Sequence, residues 1–239
     1  MKIYNRRMRL PKSSLKFIKN SNSSYTTIQK KLKKKFGVEI SKSLLSYYKR
    51  KKSRLIKLNF NKLTTEETDW LNGIFIADGC KYKTKSYDYT IKFALDNMKD
   101  KEIANKLCYI FEKLGCKYSF YNQKNALIIK TYSKQFFEKL PTKNILFKPK
   151  NEEALLAGLI DGDGCKQGNS AVLVQYNNIE TMKYLSKILN FKQKIFPVST
   201  NFGLSIRRQY YIPKHICDSL KNKELSIKLN NHLTISKAK

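Results

Sequence analysis

The sequence has 239 residues, and its 49 Lys and Arg against 18 Asp and Glu give a formal net charge of +31 at pH 7. A charge of that size is tolerable mainly when a polyanion is the usual partner, so nucleic acid is the leading candidate and an anionic membrane surface is the rival. Hydrophobic residues make up 41% of the chain, which excludes a merely disordered basic tail. No apolar run approaches the roughly 18 residues of a membrane span, and the first residues lack the apolar segment of a signal peptide, so we expect a soluble, intracellular protein.

Cysteine and histidine offer little material for chemistry in this sequence. The five cysteines form no C-x-x-C pair, which disfavours a zinc site or a disulfide framework and favours reduced, partly buried thiols. Only His215 and His232 could supply an imidazole. Carboxylates are therefore the better candidates for catalysis or metal binding.

Residues 1–60 are rich in lysine and poor in acids, and they are predicted to form a small all-α domain. A short helix is expected around 14–19, and a second helix runs through 28–36 after an N-cap at Ser24 or Thr26. Gly37 ends that helix, 38–40 form a turn, and a basic helix follows over 41–52.

Helix, glycine-containing turn and basic helix is the pattern of a helix-turn-helix, which predicts a DNA-binding extension. Its recognition helix would present Lys42, Tyr47, Lys49, Arg50 and Lys51. The alternative is a lysine-rich helical pair that only grips phosphates.

Two later stretches, 70–81 and 155–166, have nearly the same pattern. Each is an apolar run of helical length with a glycine in its middle, and each ends in an acid, a glycine, a cysteine and a lysine. The helical spacing places the acids, Asp78 and Asp163, on the buried face, where a carboxylate needs a partner. The alternative is a plain packing interface between two apolar helices that stop at Asp-Gly.

The elements around the two stretches are predicted to repeat as well. After the first, strands are expected at 82–85, 87–95, 116–121 and 126–131, with helices over 100–114 and 133–140. After the second, strands are expected near 165 and at 171–176, 193–198 and 203–207, with helices over 179–189 and 212–220. The two acids are 85 residues apart. This order predicts an α+β fold of two pseudo-symmetric αββαββα half-domains, 61–150 and 151–239, that follow the domain 1–60.

The paired stretches resemble the signature of the LAGLIDADG homing endonucleases, in their single-chain, two-motif form. Leu156 to Gly164 matches eight of the nine signature letters, whereas Leu71 to Gly79 departs at Asn72, Ile74, Phe75 and Ile76. The resemblance covers roughly 62–239. It implies a monomer that cuts both strands of double-stranded DNA at a long asymmetric site and leaves short 3′ overhangs. Relatives of this fold suggest two alternatives, a maturase that binds its own intron RNA and a DNA-binding regulator that does not cleave.

The resemblance also implies a metal-dependent site at the ends of the two motif helices. Gly73 and Gly158 would let the helices pack closely, so that their C-termini and the two acids lie side by side. Asp78 and Asp163 would bind the metal with help from the carbonyls of Ala77 and Gly162, and oxygen ligands favour Mg²⁺ or Mn²⁺. Further catalytic candidates are Lys81, Lys166, Gln175, Lys130 and Arg207. The counterpart of Gln175 in the first half is either Asp96 or Asn97.

Each half-domain is expected to supply a four-stranded antiparallel sheet, and the resemblance implies that both sheets form one saddle in the major groove. The candidate contacts are Lys83, Lys85, Tyr87, Tyr89, Lys92, Tyr118, Tyr121, Lys130, Gln175, Lys192, Lys194, Arg207 and Arg208. Because side chains alternate along a strand, only half of such a set can face DNA, and the sequence leaves the register open.

Overall fold

The computed structural model describes residues 2–4, 10–49, 58–84, 88–142, 144–175, 179–200 and 203–231. The chain divides into two compact units, Met1–Lys57 and Leu58–Lys239. Throughout these described ranges, every helix is too short or too polar to cross a membrane.

The first unit contains the three predicted helices around a small apolar core. Its elements are β1 (Lys2–Tyr4), α1 (Lys12–Asn20), α2 (Tyr25–Phe36), β2 (Val38–Ile40) and α3 (Lys42–Lys49). Ser24 caps α2 by accepting a hydrogen bond from the Thr27 amide, and Gly37 ends α2 in the left-handed conformation at φ +61°. The Ser41 hydroxyl accepts a hydrogen bond from the Leu44 amide at the start of α3.

The predicted turn at 38–40 is wrong, because this segment is a strand. It pairs in parallel with β1, with Lys2 opposite Val38 and Tyr4 opposite Ile40, so the unit is not all-α. Val38 and Ile40 are buried on one side of β2 while Glu39 is half-buried, which is the alternation of a strand. Two β-branched residues flanking one acid therefore favour an extended backbone over a turn.

The second unit repeats the order αββαββα. The first repeat consists of α4 (Thr65–Asp78), β3 (Gly79–Lys83), β4 (Tyr89–Asp96), α5 (Lys101–Leu114), β5 (Tyr118–Gln123), β6 (Ala126–Tyr132) and α6 (Lys134–Lys139). The second consists of α7 (Glu152–Asp163), β7 (Gly164–Gln167), β8 (Ser170–Gln175), α8 (Ile179–Ile188), β9 (Lys192–Thr200), β10 (Gly203–Ile212) and α9 (Lys214–Asn222). A 3-10 turn at Phe60–Lys62 precedes the first repeat, and a short helix α10 (Ile227–Asn230) follows the second.

Each repeat forms a four-stranded antiparallel sheet with the same strand order. The orders are β3-β4-β6-β5 and β7-β8-β10-β9, which confirms the predicted α+β fold with two similar halves. One apolar core runs through both halves and includes the motif helices α4 and α7. Since the halves share this core, neither αββαββα repeat buries its apolar side chains alone.

Two glycines set the distance between α4 and α7. A Cβ added to Gly158 would lie 2.9 Å from the Ile74 amide nitrogen, and one added to Gly73 would lie 2.9 Å from the Gly158 Cα. These neighbours are backbone atoms, which cannot swing away as a side chain can. The two helices can therefore approach as closely as predicted only because Gly73 and Gly158 have no side chain.

The helix starts fix the direction of both motif helices. Thr64 and Glu67 form a capping box at α4, in which each side chain accepts a hydrogen bond from the other residue's amide. Asn151 caps α7 by accepting from the Ala154 amide. With the starts capped and the middles in contact, the C-terminal ends of α4 and α7 are brought together.

We predict that Gly158→Ala destabilises the protein although alanine favours a helix more than glycine does. The added methyl group would push the α4 backbone away, and overpacking of this kind costs about 1–3 kcal/mol. Urea unfolding of the two proteins measures the loss. Lys187→Ala, an exposed change in α8, is the control and should leave stability within about 0.5 kcal/mol. A variant as stable as the wild type would contradict the close contact.

Candidate active site

Asp78 and Asp163 are the last residues of α4 and α7, where the paired helices end. A Cβ added to Gly162 would lie 3.0 Å from Asp78 Oδ2, so the end of α7 packs directly against the Asp78 carboxylate. Asp78 is half-buried and Asp163 is exposed. A helix C-terminus is the negative end of the helix dipole, so two acids there concentrate negative charge at one place.

The surroundings of Asp78 disfavour its ionised form. Burial is the main cause that raises the pKa of Asp78 to about 7; the neighbouring charges of Asp163 and Asp100 act in the same direction, and Lys228 acts in the opposite direction. A bound cation would remove this penalty by pairing with the carboxylate. The acid that the sequence singled out is therefore in surroundings that favour binding of a cation.

Gln175 lies beside the second acid, as the resemblance implied. It is buried at the end of β8, and its Nε2 donates a hydrogen bond to Asp163 Oδ2. The amide restricts the Asp163 carboxylate although that residue is exposed.

The strand register identifies the counterpart of Gln175 in the first half. Gly79 pairs with Phe93, and the equivalent Gly164 pairs with Leu173, so Gln175, two residues beyond Leu173, corresponds to Leu95. The prediction of Asp96 or Asn97 is wrong. The extra residues of the β3–β4 connection hide this equivalence in the sequence.

Lys228 is a site residue that the sequence reasoning missed. From α10, its Nζ donates to the Gly162 carbonyl at 2.6 Å and lies 3.7 Å from Asp100 Oδ1. The sequence contains one usable signal, because Lys143 and Lys228 both stand 65 residues after an acid of the pair. Lys143 itself is outside the described residues. The ammonium group already occupies the Gly162 carbonyl that we expected to help bind a metal.

Asp161, the first acid of the second motif, holds α10 in place. Its carboxylate accepts hydrogen bonds from Trp70 Nε1 at 2.8 Å, Ser226 Oγ at 2.7 Å, and the amides of Ile227 and Lys228 at 3.0 and 2.9 Å. Burial raises the pKa of Asp161, and these hydrogen bonds oppose the shift. The carboxylate thus joins α4, α7 and α10, and it fixes the backbone that carries Lys228. The first motif has Ile76 at this position.

The structure does not bring Lys81 to the acids. Its Nζ donates to the carbonyls of Phe137 and Leu140 at 3.0 and 2.7 Å, and it lies 5.0 Å from the Phe137 ring centroid. Burial lowers its pKa. The predicted catalytic role of Lys81 conflicts with this position, because the ammonium group caps the C-terminus of α6. Lys166, its equivalent, is exposed on β7.

The register sorts the other predicted contacts between two faces of each sheet. One face carries Phe93, Ile129, Leu173 and Tyr210 and packs on the helices, and the opposite face is open. The predicted residues on the open faces are Lys92, Tyr121, Lys130, Lys192, Lys194 and Arg207. Those on the helix-facing sides are Lys83, Tyr89, Tyr118, Gln175 and Arg208. Lys85 and Tyr87 lie outside the described residues.

Arg207 and Arg208 therefore have different surroundings. Arg208 pairs with Gln175 on the helix-facing side, whereas Arg207 faces away from Gln175, so a catalytic role fits the position of Arg208 better than that of Arg207. Lys130 lies 4.9 Å from the Tyr132 ring centroid, and a hydrogen bond with that tyrosine raises the pKa of Lys130. Tyr82, Tyr132 and Tyr211 also lie on the open faces and were not predicted.

In the first unit, α3 presents Lys42 and Tyr47 to solvent. Lys49 instead donates to the Ser23 carbonyl at 3.0 Å and lies 5.4 Å from the Tyr25 ring centroid, so it holds α3 against the start of α2. Arg50 and Lys51 are outside the described residues.

The donor set at the helix ends fits a hard divalent ion bound with DNA, and it does not fit a pre-formed cage. Within the described ranges, no three His, Cys, Asp or Glu side chains come together to hold a metal. Two carboxylates are present, and the remaining ligands would be carbonyl, phosphate and water oxygens. Mg²⁺ is commonly held in this way, by one or two carboxylates with substrate phosphates.

Two close-packed helices that end in acids, each leading into a four-stranded antiparallel sheet, define a pseudo-two-fold class of α+β proteins. No protein-family model and no curated protein matches the chain. Among solved structures, the crystal structure of I-DmoI in complex with DNA and Mn matches with a TM-score of 0.51 and 17% identity, over 68% of this chain and 97% of that one. Mesophilic variants of the homing endonuclease I-DmoI match with a TM-score of 0.50 and 17% identity, over 71% and 98%. The chain has the fold of the LAGLIDADG homing endonucleases.

We predict that the metal-free protein loses stability as the pH rises from about 4 to 7, in part because of Asp78. In this window the folded protein keeps a proton on Asp78 that the unfolded chain has released, since the pKa rises from 3.8 to about 7 on folding. The contribution is at most about 4 kcal/mol, and less to the extent that water reaches the carboxylate.

Urea unfolding in a chelator at pH 5 and pH 8 measures this effect. Asp78→Asn should flatten the dependence and raise stability at pH 8, whereas Asp218→Asn, a change of a half-buried acid paired with Lys221 on α9, should not. Mg²⁺ at pH 8 should stabilise the wild type more than Asp78→Asn. Identical pH profiles of wild type and Asp78→Asn would contradict the assignment.

Proposed function

We propose that this chain is a divalent-metal-dependent DNA endonuclease that cuts one phosphodiester in each strand at a long asymmetric site. The observation that carries the proposal is the meeting of Asp78 and Asp163 at the ends of close-packed helices. Asp78 lies against Gly162 of the other helix, so the two acids occupy equivalent places on either side of one pseudo-symmetry axis. Two such acids could serve two phosphodiesters, one in each strand.

The acids would hold Mg²⁺ or Mn²⁺, with the Ala77 carbonyl as a helper. The metal would supply an activated water and would stabilise the charge on the leaving oxygen. I-DmoI has been crystallised with DNA and Mn and with DNA and Ca, which supports a divalent ion here. Gln175 would orient Asp163, and Lys228 would place a positive charge beside Asp78.

The open faces of the sheets would contact the DNA major groove. Their lysines, Arg207 and tyrosines can bind phosphates and base edges, and the charge of +31 suits a polyanion. The two halves carry different side chains at equivalent positions, so the target would be asymmetric. A single chain supplies both acids, which suits action as a monomer.

The first unit would act as a separate DNA-binding extension. Lys42 and Tyr47 lie exposed on α3, the helix that follows α2 and the short strand β2. We propose that α3 contacts DNA in the manner of a helix-turn-helix or as a phosphate grip. The domain order would then be the extension, the first half-domain and the second half-domain.

We predict that Asp78→Asn and Asp163→Asn each abolish double-strand cleavage in Mg²⁺ while DNA affinity stays within about threefold. Each change removes a metal ligand but keeps the size of the side chain. The target is first selected from a randomised DNA library, and cleavage is then followed on that sequence. Asp218→Asn is the control and should cut as the wild type does. Full cleavage by either site variant would refute the assignment, and a wild type that binds DNA or intron RNA without cutting would indicate a regulator or a maturase.

We also predict that Lys42→Gln weakens DNA binding by a similar factor for all sequences and lowers the salt dependence by about one counterion. A lysine that contacts a phosphate contributes about 0.9 to the slope of log K against log salt. Lys12→Gln, an equally exposed lysine on α1, is the control and should change neither value. Equal effects of the two changes would indicate a diffuse basic surface, and no effect of Lys42→Gln would mean that α3 does not touch DNA.

A further inference from the structure

We infer that the two DNA strands are cut in a fixed order, with the strand at Asp163 first and the strand at Asp78 after it. The inference rests on the proposed nuclease function and assigns different chemistry to its two centres. It follows from the register of the two sheets, which shows which side chains stand next to each acid, and not from the sequences of the two motifs.

Two polar side chains, Gln175 beside Asp163 and Arg208 across from Gln175, form a pair that we call the polar frame of the Asp163 centre. Gln175 is buried and donates to the Asp163 carboxylate, so the amide is itself held by the core while it holds the acid. Arg208 lies directly across from Gln175 on β10, on the same face of the sheet. Cross-strand partners have Cβ atoms about 5 Å apart, within reach of a long side chain.

The equivalent frame of the Asp78 centre is apolar. Leu95 occupies the position of Gln175 and is buried, and Leu127 occupies the position of Arg208 directly across from it. Neither leucine can donate a hydrogen bond to Asp78. The two acids are therefore equivalent by the pseudo-two-fold symmetry, but the side chains next to them are not: they are polar beside Asp163 and apolar at the equivalent positions of the first half.

The groups that do surround Asp78 carry opposite charges. Lys228 and Asp100 both act on Asp78, and they lie 3.7 Å from each other as an ion pair. The ammonium of Lys228 also donates to the Gly162 carbonyl. The positive charge of Lys228 is thus shared among Asp78, Asp100 and the Gly162 carbonyl, whereas the Gln175 amide is directed at Asp163.

A pre-oriented donor needs no rearrangement when the reaction begins. In other enzymes, loss of a residue that orients a metal ligand lowers metal affinity or activity by about 10-fold to 100-fold. We expect the strand at the Asp163 centre to be cut at least about tenfold faster, so that nicked DNA accumulates before the linear product. Nicking of one defined strand would then be an activity of this chain in its own right.

The experiment follows each strand of a duplex target with a different label at its end, under single-turnover conditions in Mg²⁺. The full-length wild type should cut one strand at least about tenfold faster. Gln175→Leu, which copies the apolar frame, should slow that strand alone and bring the two rates together. Leu95→Gln should accelerate the slower strand alone. Gln193→Leu makes the same chemical change on β9, on the helix-facing side of the same sheet, and should alter neither rate.

Binding gives a readout that is independent of turnover. Mn²⁺ is titrated into the complex with uncleavable phosphorothioate DNA and followed by electron paramagnetic resonance. Gln175→Leu should weaken one class of bound Mn²⁺ ion and leave DNA affinity unchanged. If Leu95→Gln fails to fold, the strand rates of the wild type and Gln175→Leu decide the matter.

The outcomes separate this inference from the function on which it rests. Equal rates for the two strands in the wild type, or slowing of the second strand by Gln175→Leu, would overturn the fixed order while leaving a nuclease. Absence of any cut in either strand would overturn the proposed function, and the inference with it.

Discussion

The close contact between α4 and α7 is the constraint on which the rest of this structure depends. Gly73 and Gly158 leave no room for a methyl group between the two backbones, and this places the ends of both helices next to each other. Each strand that follows begins directly at the helix end, so the helix pair also positions both sheets. A wider spacing of the helices at the glycines would move the two acids apart.

The two halves share a backbone plan but differ in how they stabilise it. Asp161 in the second motif accepts four hydrogen bonds, and these tie α4, α7 and α10 together, whereas Ile76 at the equivalent place only fills the core. A buried carboxylate is costly unless it is fully hydrogen-bonded. The start of α10 supplies three of the four donors to Asp161, and the same hydrogen bonds hold α10 in place. The first half ends differently: the amides of Lys150 and Asn151, just before α7, donate to Asp69. A single chain can have such differences because its two halves are encoded separately, so equivalent positions need not carry the same residue.

Much of this fold could be predicted from the sequence, because periodicity and the repeat act locally. The motif helices, the αββαββα order, the Ser24 cap and the helix end at Gly37 depend on neighbouring residues, and these predictions are confirmed. The predictions that were wrong concern residues whose conformation or position depends on contacts with residues far away in the sequence. The parallel pairing with β1 makes 38–40 a strand, the C-terminus of α6 captures Lys81, and cross-strand register makes Leu95 the counterpart of Gln175. Lys228 was missed because α10 is short and its place depends on long-range contacts, among them the hydrogen bonds to Asp161.

The position of Lys228 shows why a second acid of the motif matters apart from metal binding. The Asp161 carboxylate is buried, and the hydrogen bonds it accepts come from Trp70 of α4 and from residues 226–228 at the start of α10. It acts one step away, because the amide it holds belongs to the residue whose ammonium lies beside Asp78. The motif therefore encodes two functions within three residues. Asp163 lies at the end of the paired helices, and Asp161 fixes the helix that brings Lys228 to the same place.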